Sequence, residues 1–277
     1  MAVNPLEQYF RKPAVYVDLP SKGNYYKTKP TLSVDGELAV YGMTAKDELV
    51  LKNPDALLNG QGVITVLQSV CPDILNQSEI PIPDFNSILI AMRIASYGKE
   101  LDYQITCQEC SHADTVSFDL YEVLATTEFL EPEYIVNLDT GVKVYVGPTT
   151  VATQNKASMG QLEQGRLLDL INSDVDSEDK IHKFSKIFEK LTGITFDIVQ
   201  DGVRYVKLPD ENETVVNNIA HIKEWLSNIN KTEYEQISTL VTEINLIGTN
   251  LKYDHSCTSC QHINSGQIEF DPTSFFA

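Results

Sequence analysis

The sequence predicts a mixed α+β protein that contains an internal duplication. Short runs that alternate apolar and polar residues, such as "GELAVYGMT" (36–44), are typical of strands. Longer runs with apolar residues three or four positions apart, such as "DFNSILIAMRIASYG" (84–98), are typical of helices. The stretch "YQITCQECSH" (103–112) recurs near the other end of the chain as "YDHSCTSCQH" (253–262). Both kinds of element therefore occur in one chain, and one cysteine motif occurs twice.

The first half begins with two predicted strands and continues to a long helix. "AVYVDLPSKGNYY" (14–26) predicts a strand that leads into a glycine turn, and residues 36–44 predict a second strand. In the helix at 84–98, we expect Asp84 to be the N-cap, because its carboxylate would accept hydrogen bonds from the first helical N–H groups. Gly98 ends this helix, since glycine adopts the left-handed C-cap conformation without steric cost.

The second half also starts with a predicted strand, "GVKVYVGPT" (141–149), and then carries an insertion relative to the first half. An amphipathic helix, "SEDKIHKFSKIFEKLTG" (177–193), and a strand, "GVRYVKLPD" (202–210), follow it. The segment "TVVNNIAHIKEWLSNIN" (214–230) predicts a further helix. Its expected apolar face consists of Ile219, Ile222, Leu226 and Ile229.

The residues around the two cysteine motifs also match. "GKELDYQITCQECSH" begins at Gly98 and "GTNLKYDHSCTSCQH" at Gly248, so Gly, Leu, Tyr, Cys, Cys and His recur at a constant offset of 150. Each follows a helical segment that ends at its glycine. The second segment (232–248) has Thr232 as its expected N-cap, and its expected apolar residues are Tyr234, Ile237, Val241 and Ile244. We predict a duplicated unit of strand, helices and cysteine knuckle; the alternative is a chance resemblance between two hairpins.

The predicted duplication divides the chain into two parts. Residues 1–130 form an N-terminal half with the first C-x-x-C knuckle. Residues 131–277 form a C-terminal half with a helical insert and the second knuckle. A chain of 277 residues is long enough for one large domain or for two of ordinary size.

Four of the five cysteines form two C-x-x-C pairs, Cys107 with Cys110 and Cys257 with Cys260. The first residues lack the basic and apolar regions of a secretory leader, so we expect a reducing compartment, where such pairs indicate metal or redox chemistry. A tetrahedral zinc ion takes four soft ligands, and each pair presents two thiolates. We therefore predict one structural zinc site shared by both knuckles in a zinc-ribbon-like arrangement. We expect the fifth cysteine, Cys71, to be a small buried thiol.

Two alternatives to zinc remain at this point. An iron–sulfur cluster accepts the same four thiolates, and the sequence does not exclude it. Thiol redox chemistry is disfavoured, because neither pair opens a convincing helix in a βαβ pattern. His112 and His262 follow their pairs by two positions. With four cysteines present, we expect both histidines to lie outside the ligand set.

Charge and missing motifs exclude several function classes. Thirty-nine acidic residues against 21 basic ones give a formal net charge of −18, which repels phosphate backbones and disfavours nucleic acid as a partner. No stretch approaches the roughly 18 uninterrupted apolar residues of a membrane span. The sequence lacks a phosphate-binding G-x-x-x-x-G-K-[ST] loop, an H-E-x-x-H metal motif and a G-x-S-x-G elbow. We expect no enzymatic activity.

Three segments of the first half occur in an order that resembles a known family. They are "VDLPSKGNYY" (17–26), "YGMTAKDELVL" (41–51) and "MRIASYGKELDYQITCQEC" (92–110). The set resembles the baseplate hub family of T4-like contractile-tailed phages, the myoviruses. The matching residues are Leu19, Pro20, Ser21, Gly23, Tyr26, Met43, Thr44, Asp47, Glu48, Arg93, Tyr97, Gly98, Cys107 and Cys110.

The resemblance implies a tail protein without enzymatic activity. Its expected role is that of a structural component of the baseplate hub, which contacts other baseplate and tail proteins in the virion after assembly in the host cytoplasm. A transient chaperone of hub assembly is the alternative. From the cysteines alone, a zinc-ribbon adaptor or an iron–sulfur or thiol redox protein also stays open. Within the matching segments, we expect Gly23 to have a positive φ angle and Asp47 with Glu48 to cap the following helix.

Overall fold

The computed structural model describes residues 4–53, 60–160 and 193–268, and these ranges confirm the predicted α+β class. The strands are β1 Pro13–Val17, β2 Leu38–Tyr41, β3 Glu100–Thr106, β4 Ala113–Asp119, β5 Tyr134–Asn137, β6 Lys143–Val146, β7 Val203–Lys207, β8 Val215–Val216, β9 Lys252–Ser256 and β10 Ile263–Gln267. The helices with both ends in these ranges are α1 Ala45–Leu51, α2 Gln61–Val70, α3 Ile82–Tyr97, α4 Leu120–Ala125, α5 Ile219–Leu226 and α6 Lys231–Leu246.

Antiparallel pairing joins all of these strands. β1 pairs with β2, β3 with β4, and β9 with β10, while β5, β6, β7 and β8 form a four-stranded sheet in that order. The predicted strands at 14–26, 36–44, 141–149 and 202–210 are confirmed as β1, β2, β6 and β7. The amphipathic helix predicted for 177–193 falls on residues that lie outside the described ranges, apart from its last residue.

The first buried cluster surrounds α3 and includes side chains from both ends of the chain. Ile88 and Ile90 of α3 are fully buried together with residues of β1 and β2. Leu251 and Ile268, on either side of the β9–β10 hairpin, belong to the same cluster. Burial of this apolar area therefore attaches the C-terminal hairpin to the core of the N-terminal elements.

The second buried cluster lies between the four-stranded sheet and α6. Val144 of β6 packs with Ile237, Val241 and Ile244, which are fully or almost fully buried. These three residues belong to the apolar stripe that the helical periodicity predicts. Leu130 is the first buried member of this cluster along the described chain. The division at residue 130 stays a prediction.

The expected N-caps of the two long helices are wrong. α3 begins after Pro81, because prolines fit the first helical turn, where an N–H group has no intrahelical partner. α6 begins after Asn230 instead of Thr232, and the Asn230 side chain accepts the Glu233 N–H at 2.9 Å.

Asp84 lies inside α3 and anchors the segment that follows β1. Its carboxylate accepts the backbone N–H of Ser21 at 2.8 Å, the Ser21 hydroxyl, and the Tyr26 hydroxyl at 2.8 Å. Burial raises the pKa of Asp84 to about 6. Gly23 has the expected positive φ of 73° between these two partners. Three residues of the first matching segment thus have a structural explanation.

Of the two residues expected to cap α1, Asp47 is confirmed in this role. Thr44 is the N-cap and accepts the Asp47 N–H, while the Asp47 carboxylate accepts the Thr44 N–H at 2.7 Å. This reciprocal pair is a capping box. Glu48 adds negative charge to the first helical turn, where it interacts favourably with the helix dipole.

Candidate metal centre

Each cysteine pair lies in the tight turn of an antiparallel hairpin. In the first turn, between β3 and β4, the Cys107 N–H donates to the His112 carbonyl at 2.8 Å. In the second, between β9 and β10, the Cys257 N–H donates to the His262 carbonyl at 2.8 Å. The two turns therefore have the same closing hydrogen bond at an offset of 150 residues.

One residue in each turn adopts the left-handed conformation that closes it. Ser111 has φ 57° and donates its N–H to the Cys107 carbonyl at 2.9 Å. Gln261 has φ 62° and donates to the Cys257 carbonyl, also at 2.9 Å. Non-glycine residues adopt this conformation rarely, so its presence at both equivalent positions indicates one shared turn geometry.

The two turns bring the four cysteine sulfurs together. The Sγ atoms of Cys107, Cys110, Cys257 and Cys260 all lie within 4.8 Å of one another. Two of the distances between hairpins, Cys107 to Cys260 and Cys110 to Cys257, are 3.6 Å. A tetrahedral zinc ion with Zn–S bonds of about 2.3 Å spaces its sulfurs about 3.8 Å apart. The donor set and its spacing thus fit one tetrahedral ion.

Burial differs within each pair. Cys107 and Cys257 are 2% and 1% exposed, whereas Cys110 and Cys260 are exposed at the surface. In both pairs the sulfur of the first cysteine is buried at the base of the turn, and the sulfur of the second lies at its exposed tip. A metal bound here would connect the protein interior with the outer rim of the turns.

Reciprocal polar contacts hold the two hairpins against each other. Asn264 Oδ1 of the second hairpin accepts the Gln108 N–H of the first at 3.1 Å. Asp114 Oδ2 of the first accepts the Thr258 N–H of the second, also at 3.1 Å. The donors and the acceptors are both separated by 150 positions. Beside them, the rings of Tyr103 and Tyr253 pack edge to face with centroids 5.9 Å apart.

Asp114 is the most strongly hydrogen-bonded carboxylate near the cysteines. It accepts the Thr258 hydroxyl and N–H, and His255 Nε2 lies 3.1 Å from its Oδ2. These hydrogen bonds hold the pKa of Asp114 well below its usual range, and the bond from the Thr258 hydroxyl makes the largest contribution. Asp114 is therefore a carboxylate at neutral pH.

The pKa values of two of these thiols shift in opposite directions. Backbone N–H groups, that of Cys110 first, lower the pKa of Cys107 to about 6. At Cys260 the His262 N–H acts to lower the pKa, but hydrogen bonds with the neighbouring thiols, together with partial desolvation, outweigh it, and the pKa rises to about 12. Four thiolates this close repel one another, so a cation among them is needed to stabilise all four.

The two histidines and the fifth cysteine have the environments that the sequence predicts. His112 and His262 are exposed and outside the sulfur cluster, although His112 Nε2 lies 3.5 Å from Asp114. Cys71 is fully buried in the first cluster, and burial raises its pKa to about 12. The sequence reasoning missed Asp114 and Asn264. Their equal distance from the two cysteine pairs was the signal that would have found them.

The fold and the site define the class of protein: an α+β chain in which two distant hairpins meet at a four-cysteine cluster suited to a metal ion. The family model for T4 bacteriophage base plate protein matches residues 13–277. The chain therefore belongs to this family of phage baseplate proteins. The match extends through the second hairpin, beyond the segments that carry the sequence resemblance.

The other comparisons add no relative. No curated protein and no solved structure matches the chain. In the ranges that the structure describes, every helix is too short or too polar to span a bilayer.

Proposed function

We propose that this protein is a structural component of the hub region of a contractile phage tail and acts by protein–protein interaction. One zinc ion, bound by Cys107, Cys110, Cys257 and Cys260, ties its two hairpins together. The observation that carries the proposal is the approach of all four Sγ atoms to within 4.8 Å, although the pairs are far apart in sequence. A metal that joins distant segments couples binding to folding and makes the chain rigid, as a subunit that positions its neighbours requires.

The sulfur spacing favours a single ion over an iron–sulfur cluster. A cluster places several iron and sulfide ions between its cysteines, so their sulfurs lie farther apart than around one ion. Zinc is the common ion of closed four-thiolate sites, and saturation by thiolates leaves no open position for water. The zinc is therefore structural, and we propose no catalytic activity.

The two hairpins and the helices before them form an internal duplication. Support comes from the turns with identical hydrogen bonds, from the reciprocal contacts of Asp114 and Asn264, and from the equal lengths of α3 and α6, 16 residues each. Each unit supplies half of a zinc-ribbon-like ligand set across a pseudo-twofold axis. The units correspond to residues 1–130 and 131–277.

The expected partners are other baseplate and tail proteins, met during assembly in the host cytoplasm. The N-terminal segment supports a role in docking, because Leu6, Tyr9 and Phe10 are 62%, 77% and 61% exposed. Exposed apolar side chains in a contiguous segment mark an interaction site. A transient chaperone of hub assembly would present such a surface too, and it is the second candidate function.

Quantitative mass spectrometry of purified virions tests the structural role. Recovery of the protein at a fixed ratio to other baseplate proteins is the expected result. Its absence from particles whose assembly requires the gene would contradict the subunit role and establish the chaperone. Infection with a phage mutant that lacks the gene serves as the control, because the yield of complete particles shows whether assembly depends on it.

Metal analysis of the purified protein tests the site itself. We expect one zinc per chain and a colourless protein. A brown protein that contains iron and acid-labile sulfide would instead indicate an iron–sulfur cluster and would contradict the zinc assignment. Binding to nucleic acid at moderate salt would instead support an adaptor function, against the strong negative charge of the chain.

A further inference from the structure

A groove of about 180 Å³ lies between β1 and α4, outside the two cysteine hairpins. Tyr16 and Asp18 line it from the β1 side, Glu37 from the start of β2, and Tyr121 from α4. Small-molecule sites have volumes of roughly 300–1,000 Å³. The groove is therefore too small for a typical cofactor but suited to one long side chain.

Strand pairing explains why two carboxylates lie together in this groove. Val17 pairs with Leu38, and both side chains are buried against the first core. The adjacent residues, Asp18 and Glu37, come next to each other at the end of the ladder. Because side chains alternate across a sheet, both carboxylates lie on the outer face, where Tyr16 also projects.

The groove has the chemistry of a cation site but contains no cation of its own. Its described lining includes no lysine, arginine or histidine. In the part of the chain that the structure describes, neither Asp18 nor Glu37 takes part in an ion pair. The rings of Tyr16 and Tyr121 are 52% and 48% exposed, so their faces are accessible. Aromatic faces combined with carboxylates attract ammonium and guanidinium groups.

We propose that this groove, which we call the Tyr16–Tyr121 groove, binds a lysine or arginine side chain of a baseplate partner. This inference rests on the protein–protein role given under Proposed function and names the chemistry of one partner surface. A bare divalent cation fits less well, because Ca²⁺ and Mg²⁺ need six or more oxygen ligands and aromatic rings supply none. The net charge of −18 also steers basic surfaces toward this chain.

Peptide titration followed by NMR tests the groove on the zinc-loaded full chain. The probes are N-acetylated and C-amidated tri-arginine and tri-lysine peptides, with the same blocked form of tri-citrulline as a neutral analogue of tri-arginine. We expect saturable shifts at Tyr16 and Tyr121 with the two basic peptides and none with citrulline. Binding of citrulline with equal affinity, or shifts spread evenly over the acidic surface, would overturn the proposal.

Two sets of variants separate the groove from general electrostatics. The double change Asp18→Asn with Glu37→Gln should weaken binding about tenfold, because it removes two charge contacts. The matched control, Glu211→Gln with Glu224→Gln, removes the same charge from exposed residues that do not line the groove. An equal loss in both double variants would overturn the proposal.

The aromatic contribution has its own control. Tyr16→Leu should weaken binding several-fold and Tyr16→Phe should restore it, because only the second change keeps the ring face. Equal affinities in these two variants would refute cation recognition by the ring. The outcome is independent of the virion experiment: a chain absent from virions can bind the peptides, and a virion subunit can fail to bind them.

Discussion

The two cysteine hairpins have the same turn but different amounts of support from the rest of the chain. In the first hairpin, β3 and β4 have seven residues each, and β3 buries Leu101 and Ile105. In the second, β9 and β10 have five residues each, and β9 has no buried residue. The second hairpin is attached to the core by Leu251 and Ile268, which flank it. Equal local geometry therefore does not imply equal stability.

The polar groups that link the hairpins are unequal too. Asp114 of the first accepts two hydrogen bonds from Thr258 and lies against His255, whereas Asn264 of the second accepts one bond, from Gln108. Bonds to a charged acceptor are stronger than those to a neutral amide. Most of the polar attachment of the second hairpin thus passes through one carboxylate of the first. We expect the metal to supply the rest.

Loss of the metal should have the largest effect. Replacing Cys257 with Ser removes one of four ligands, so we expect the zinc-to-protein ratio to fall from about one to near zero. If free zinc exceeds its Kd about 1,000-fold, loss of binding lowers the free energy of unfolding by about 4 kcal/mol. Metal analysis and thermal unfolding measure the two effects. Unchanged zinc content would contradict the shared site.

The same variant distinguishes the two hairpins. Hydrogen exchange should accelerate more in β9 and β10 than in β3 and β4, because the second hairpin has fewer buried residues of its own. Cys71→Ala is the matched control, since it removes a buried cysteine that lies outside the cluster and should leave zinc content unchanged. Equal acceleration in both hairpins would remove the asymmetry that the burial pattern predicts.

The sequence predicted which four cysteines lie together, because their residue type and spacing form local patterns. Two C-x-x-C pairs specify metal chemistry by residue type, and the apolar spacing of Ile237, Val241 and Ile244 specified the buried face of α6. Ile219 was assigned to an apolar face but is 66% exposed, because it is the first residue of α5. Periodicity describes a helix interior and does not tell which residue at its end reaches the core.

The features that the sequence did not predict depend on contacts between distant residues. Aspartate is a common N-cap residue, yet the carboxylate of Asp84 accepts a hydrogen bond from the N–H of Ser21, 63 positions earlier. Asp114 contacts Thr258, 144 positions later, and no local pattern marks that pair. Tertiary contacts, and not local propensity, determine the hydrogen-bond partners of such side chains. Only the 150-residue offset, applied beyond the cysteines, would have pointed to Asp114 and Asn264.

Removal of the linking side chains should have an intermediate effect and should be unequal. Asn264→Ala deletes one neutral acceptor, so we expect a loss of about 1 kcal/mol in the free energy of unfolding. Asp114→Ala should lower the melting temperature further, because it leaves the Thr258 N–H and hydroxyl and His255 without their acceptor. Thermal unfolding of zinc-loaded protein measures both.

A conservative pair of variants sharpens this second comparison. Asp114→Asn keeps the shape and removes the charge, so its melting temperature should lie between those of the native protein and Asp114→Ala. Asn264→Gln displaces the amide without adding charge and serves as the matched control in the other hairpin. If alanine at either position had the same effect, the two linking contacts would be equivalent, and the charge of Asp114 would play no special part.

The smallest effect concerns the left-handed residues of the turns, Ser111 and Gln261. Glycine relieves the steric cost of a positive φ but increases the entropy of the unfolded chain, so the two contributions largely cancel. We expect Ser111→Gly and Gln261→Gly each to change the free energy of unfolding by less than about 1 kcal/mol, in the same direction. The two residues have φ angles within 5° of each other and equivalent hydrogen bonds, so their responses should match. Ser111→Val and Gln261→Val should both destabilise, because β-branched residues tolerate positive φ poorly. Chemical denaturation at fixed zinc measures all four variants, and opposite signs for the two glycine variants would show that the turns are not equivalent.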